Sequence, residues 1–366
     1  MKLVCSRENL HNGVNIVQKA VSAKSTMPIL QGILIEAGDT LKLTGNDLEI
    51  GIECVVESDI MEKGSVVVNA KMFGEIIRKL PDSDVSLDYN EESGIVVIKC
   101  GKSLFKIHAM SSEGFPALPE VKKENSFSVE SSLLRDLIRQ TIFAVGTDEF
   151  RAILTGCLIE SKNNELNFVA LDGFRIALRK HNLEGDIPDF SLVVPGKTLN
   201  EILKILQYTD CDIAIYNSKN QILFDAGNFK LVSRLLEGEF FNYRNAIPED
   251  FETKITVDTK ELLSSIERAY LISIEEQGRN YPVDFKLYND TLMITSDTTK
   301  GSVKEELEVE MEGSDLEVSF NPLYFIEALR VIDDEKINIY FRSIGACTIK
   351  PTEGNSFVYM ILPLLK

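Results

Sequence analysis

The sequence predicts an α+β protein made of three tandem copies of one domain, each with two helices and roughly eight strands. Three observations carry this. First, NAKMFGEIIRKL (Asn69 to Leu80) aligns without gaps to PGKTLNEILKIL (Pro195 to Leu206) and NPLYFIEALRVI (Asn321 to Ile332), at a constant offset of 126 residues. Second, each segment follows a Val/Phe-rich run (SVVV, SLVV, EVSF) and precedes an alternating one (DVSLDY, CDIAIY, KINIYF), so each reads strand, helix, strand. Third, the 366 residues are 44% hydrophobic and 26% charged, the composition of a folded chain too long for one hydrophobic core.

Each copy opens with a short alternating strand that runs into an amphipathic helix: KLVCSRENL, SFSVESSLL and KITVDTKEL. Ser6, Ser131 and Asp258 stand near the helix starts as expected N-caps. Hairpins follow in GDTLKLTGNDLEIGIECVV, NNELNFVALDGFRIALRK and NDTLMITSDTTKGSVKEEL, with Gly, Asn and Asp at the turns. Then come the 126-residue motif and a late strand pair. The proline-containing links FPALP and FFNYRNAIP end the first two copies, which sets the expected domains at 1–121, 122–246 and 247–366.

The chain carries 39 Lys+Arg against 57 Asp+Glu, a net charge of −18, which excludes a uniformly basic nucleic-acid binder. No apolar run approaches the ~20 residues of a membrane span, and the start MKLVCSRENL is no signal peptide, so a cytoplasmic protein is expected. The cysteines at 5, 54, 100, 157, 211 and 347 form no CxxC pair and read as reduced core residues. His11, His108 and His181 have no ligand spacing, and neither a metal nor a cofactor is expected.

The charge is segregated. The six expected helices together carry +6, leaving −24 on strands and loops, the pattern of a helical surface that faces phosphates while the rest repels them. A 122-residue domain is about 35 Å across; three close around a hole of about 5 Å, six around about 35 Å. Three repeats dimerised head to tail would therefore encircle a nucleic-acid duplex. Contacts would be to the backbone, because no basic, aromatic-rich stretch of the base-stacking kind is present.

KSTMPIL, LTGNDLEI, FPALPE, RAILTGCLIE, LDGFRIAL, VVPGKTLNEI and the terminal MILPLLK, in this order on a 126-residue repeat, resemble the sliding-clamp (β-subunit) family of bacterial DNA polymerase III over the whole chain. The resemblance implies the DNA clamp fold and a head-to-tail homodimer forming a six-domain ring. It implies a non-enzymatic processivity factor that slides on double-stranded DNA without sequence preference. Through a groove for short Gln-, Leu- and Phe-rich peptides the ring would tether the replicative DNA polymerase, the clamp loader and other clamp-binding-motif proteins.

Carried over by position, the groove would be made by Leu154, Leu171, Gly173, Phe174, Arg175, Ile176, Asn245, Ala246, Ile344 and Ala346 with the tail Met360, Ile361, Leu362, Pro363 and Leu364. Arg175 and Asn245 would be its polar anchors. A last strand buried in its own domain accounts equally for Met360 and Leu362. Phe174, where the family often has histidine, the FFNY link in place of FPxY and the LLK end imply a more apolar, differently shaped groove. The DNA-facing residues would be Lys24, Lys71, Arg78, Arg151 and Lys197, with Lys79, Arg135 and Arg139 behind them. The subunit contact would use Phe105, Leu271 and Ile272, with Glu305 and Glu306 facing Lys102; a core role for Leu271 and Ile272 is the alternative. Two other classes compete: a hydrolase using Asp47, Glu49 and Asp172, and a scaffold that binds no nucleic acid.

Overall fold

Strands and helices alternate as the repeat requires. A computed structural model of the chain describes all residues except 23, 122–124, 184–186, 208, 275–281, 300 and 365–366, and omits the side chains of Asn125 and Glu149. Among the described residues there are six α-helices: α1 (Arg7–Val17), α2 (Ala70–Lys79), α3 (Ser131–Arg139), α4 (Gly196–Leu206), α5 (Thr259–Ser273) and α6 (Pro322–Leu329). The helices α2, α4 and α6 begin at 70, 196 and 322, the 126-residue interval of the sequence motif.

Local chemistry explains the starts. Asn69 accepts from Met72 N–H at 3.0 Å, and Asn321 accepts from Leu323 N–H at 3.1 Å ahead of Pro322. Ser6 caps α1 through Asn9 N–H, and Asp258 caps α5 through Lys260 and Glu261 N–H. Ser131 differs from expectation. It is the first helical residue of α3, and its hydroxyl donates to Thr209 O at 2.8 Å, tying the helix start to a neighbouring loop.

Sheet pairing runs through the repeat boundaries. In one unit, Met1–Leu133 with Asn200–Leu235, thirteen strands form one sheet. The middle repeat enters it through Asn125–Glu130, Asp212–Asn217, Gln221–Asp225 and Phe229–Arg234, the last pairing with Ile50–Val56 of the first repeat. In the other unit, Leu134–Leu199 with Leu236–Lys366, the middle repeat's other four strands share a sheet with strands of the third repeat. Arg175–Asn182 lies antiparallel to the terminal strand Phe357–Ile361 within this nine-stranded sheet. Each junction closes a strand edge that would otherwise expose a row of backbone donors and acceptors.

The helices bury apolar stripes of period 3.6. In α2, Ala70, Phe73 and Ile77 are buried, while Lys71, Glu75, Arg78 and Lys79 are exposed. The third repeat centres on Phe285, Phe320, Phe325 and Phe341, with ring centroids 4.9 to 6.3 Å apart in tilted and edge-on pairs. Gly45 admits no side chain. A Cβ there would stand 2.2 Å from Val17 O, where the end of α1 meets the strand Leu41–Asn46.

Five cysteines are buried as expected, and Cys211 is exposed, contrary to expectation. Burial pushes the Cys5 and Cys157 thiols up to about 12 and Cys54 to about 11. A neutral maleimide at mildly alkaline pH is therefore expected to label the native protein once, at Cys211, with the other five reacting only after denaturation. Intact mass spectrometry counts the adducts, and two or more on the native chain would contradict the burial.

Candidate functional site

The turn that begins the site is written in Asp172. Its Oδ1 accepts from Phe174 and Arg175 N–H at 2.9 and 3.2 Å, while Gly173 takes φ +96°. Asp47 makes the same turn in the first repeat, accepting from Glu49 and Ile50 N–H at 3.0 and 2.8 Å with Leu48 at φ +76°. Asp47 and Asp172 are thus turn-forming acceptors, which removes the paired-carboxylate basis of the hydrolase alternative.

Beyond the turn, strand alternation decides which side chains share a face. Leu171 opposes Ile176 and Ile176 opposes Met360, so three apolar residues form a row across three strands. Val169, Leu178 and Val358 form the next row, and together with Leu158, Val193, Tyr243 and Ala346 they make one buried cluster. The linker after the second repeat covers part of it. Tyr243 is buried and its OH donates to the Glu160 carboxylate, which also receives the Arg244 guanidinium. Arg244 lies 4.8 Å over the Tyr243 ring.

An uncovered part of this face remains as a cavity of about 310 Å³. Leu154, Leu171, Gly173, Arg175, Ile176, Ala246, Met360 and Leu362 line it, all expected there, together with Arg151 and Phe241. Ala346 lies in the cluster beneath. Met360, 5% exposed, is buried against the middle repeat's Leu171 and Ile176 as well as its own repeat's Val358, so burial within its own domain does not account for it, and Leu362 is 37% exposed.

Other expected groove residues lie outside the lining. Ile361 is 1% exposed, because the residue next to Met360 on a strand points to the other face. Phe174 is turned outward and stacks on Tyr324 with centroids 6.3 Å apart. Asn245 and Ile344 are exposed away from the cavity, and the Pro363–Leu364 end continues past it, with Leu364 N–H donating to Ser319 O at 2.8 Å. Arg175 lines the cavity but is no free anchor. Only 8% exposed, its guanidinium donates to Asp172 Oδ2 at 2.9 Å, to Phe143 O at 2.7 Å and to Glu327, and lies 4.6 Å over Tyr324.

Of the basic residues, Lys24, Lys71, Arg78 and Lys197 are exposed; Arg78 pairs with Glu75 at 2.6 Å. Arg151, also exposed, takes φ −113° and ψ 58° at a break in the local helix and lies on the cavity wall, with Asp148 at 3.2 Å. Arg139 is committed to Val331 O and Asp333. Phe105 is exposed, and Leu271, at 70% exposure, is no core residue; Ile272 is half-buried. Glu305 pairs with Arg268 at 2.5 Å and Glu306 with Lys304 at 2.8 Å, so both carboxylates are engaged within the chain. Sequence reasoning missed Phe241 as a wall, although the unusual FFNY link contained the signal.

Family models of the DNA polymerase III beta subunit match the chain three times in succession: the N-terminal domain at residues 1–119, the central domain at 128–242 and the C-terminal domain at 244–365. The chain belongs to the bacterial DNA polymerase III beta subunit family. It is 35% identical to the beta sliding clamp of Staphylococcus epidermidis, the alignment covering 100% of this chain and 99% of that protein. It superposes on the DNA polymerase sliding clamp of Bacillus subtilis with a TM-score of 0.95 and 34% identity, covering 100% and 99% of the two chains. On the Pseudomonas aeruginosa sliding clamp bound to griselimycin the TM-score is 0.94, with 27% identity and full coverage of both. Its function is that of a DNA sliding clamp, a processivity factor and not an enzyme.

Replacing Arg175 by Ala would leave Asp172, largely shielded from water, and the more exposed Glu327 without their shared cation. A loss of about 3–5 kcal/mol in denaturant unfolding is expected, and a loss under 1 kcal/mol would show that the guanidinium does not hold this end of the sheet.

Proposed function

We propose that two copies of this chain join head to tail into a six-domain ring around duplex DNA, and that the cavity walled by Met360 and Leu362 receives the peptides of the polymerase, the loader and other partners. The observation that carries the groove is the apolar row Leu171, Ile176, Met360, which lines the cavity. It lies on a face otherwise sealed by the linker, with exposed Leu362 and Phe241 at its rim. Each large apolar side chain a peptide buries there contributes roughly 1.5–3 kcal/mol. That a Pseudomonas aeruginosa clamp binds griselimycin supports a ligand site in such a protein.

In this reading the domains divide at 121/122 and 246/247. Lys24, Lys71, Arg78 and Lys197 face DNA, while Arg151 serves the groove. Phe105 and Leu271 meet across the subunit contact with Ile272 beside them; their exposure in the single chain is what such a contact consumes. Glu305 and Glu306 are left out of it, since Arg268 and Lys304 already hold them.

Calorimetry with a Gln-Leu-x-Leu-Phe peptide tests the groove. Deleting Leu362 to Lys366 should abolish binding, while light scattering still reports twice the 41.0 kDa chain mass. Equal affinity after deletion would move the groove elsewhere, and a monomer at micromolar concentration would refute the ring.

Retention on DNA gives an independent check. Once loaded, the protein should stay on closed circular DNA through a salt wash and leave linear DNA, because topological linkage does not depend on counterion release. Tight binding to a short linear duplex would contradict this.

A further inference from the structure

The first unit contains a counterpart of the groove face, chemically inverted. Strand pairing fixes the correspondence. Leu34, Thr44, Glu53 and Lys230 form a row across four strands as Leu158, Val169, Leu178 and Val358 do in the second unit. By the same register Glu36 answers to Glu160, and Gly51, opposite Val232, answers to Ile176, opposite Met360. The linkers correspond too: in FPALP, Leu118 and Pro119 follow Phe115 by three and four residues, as Tyr243 and Arg244 follow Phe240.

Those two linker residues change what lies beneath. Glu160 receives both the phenol of Tyr243 and the guanidinium of Arg244. Leu118 has no hydroxyl and instead presses on Gly51, where an added Cβ would meet its Cδ2 at 2.2 Å. Pro119 has no charge. Glu36 consequently has no hydrogen-bond or ion-pair partner among the described residues and lines a cavity of about 640 Å³. Lys42 in the same cavity is held by Glu53 at 3.3 Å, and with Glu120 the walls carry, among the described residues, three carboxylates against two ammonium groups.

We propose that this cavity is a second docking site, which takes an aromatic–arginine segment of a partner protein with its guanidinium on Glu36. The segment supplies what Tyr243 and Arg244 supply to Glu160. Arginine fits better than lysine because its planar fork grips a carboxylate with two bonds and stacks on the neighbouring ring. Leu34, Phe115 and Val232 give the aromatic residue an apolar wall. The site is separate from the groove proposed above and stands or falls without it.

A fluorescent, end-capped peptide Phe-Phe-Asn-Tyr-Arg-Asn-Ala, the sequence of residues 240–246, tests the site by anisotropy against the full chain. Saturable binding is expected, weakened at least about fivefold by Glu36→Gln and equally by replacing the peptide's Arg with Ala, as loss of a charge-assisted hydrogen bond requires. Deleting Leu362 to Lys366 should leave it unchanged. The double variant Leu118→Tyr, Pro119→Arg fills the site from within, so it should lose peptide binding and melt at a higher temperature. No saturable binding at millimolar peptide, a smaller effect of either charge removal, loss on tail deletion, or unaltered binding by the double variant would each overturn the proposal.

Discussion

An unpaired strand edge is an open template for another chain, and this protein closes edges between its repeats by pairing them with one another. The middle repeat is the device. Four of its strands extend the sheet of the first repeat and four extend that of the third, through Phe229–Arg234 on Ile50–Val56 and Arg175–Asn182 on Phe357–Ile361. Backbone hydrogen bonds, which any sequence supplies, do the joining. The side chains on the joined faces are then free to serve other ends, which is why one fold can carry an apolar cavity in one place and a charged one in its counterpart.

The linkers decide which outcome is reached. In the second unit Tyr243 and Arg244 converge on Glu160 and pin the linker down, leaving an apolar remainder bounded by Leu154, Phe241 and Leu362. Arg175 secures the other end by joining the turn at Asp172 to α6 through Glu327 and to Phe143 O. The cavity thus lies between two polar anchor points, the Glu160 cluster and the Arg175 cluster.

Much of this was legible in the sequence. Helix starts at a 126-residue interval, hairpin turns at Asp47 and Asp172, and caps at Ser6 and Asp258 are local features, and short-range chemistry writes them plainly. What resisted was set by parity and by distance. The resemblance carries Ile361 into the groove beside Met360, yet a strand sends neighbouring residues to opposite faces. Arg151, which the resemblance turns toward DNA, lies on the cavity wall at a break in the local helix. Arg139 meets Asp333 only after long-range pairing has formed, and the joining of sheets across repeats is invisible to any local pattern.

The chain's end illustrates how little a position owes to the side chain that occupies it. Leu362 N–H donates to Phe174 O and Leu364 N–H to Ser319 O, both at 2.8 Å, so the tail is moored by its peptide groups. Substitution at 362 or 364 alters the chemistry offered to a visitor and leaves the mooring intact. The side chain at 362 can therefore change the chemistry of this rim while the peptide groups that hold the strand's end stay bonded.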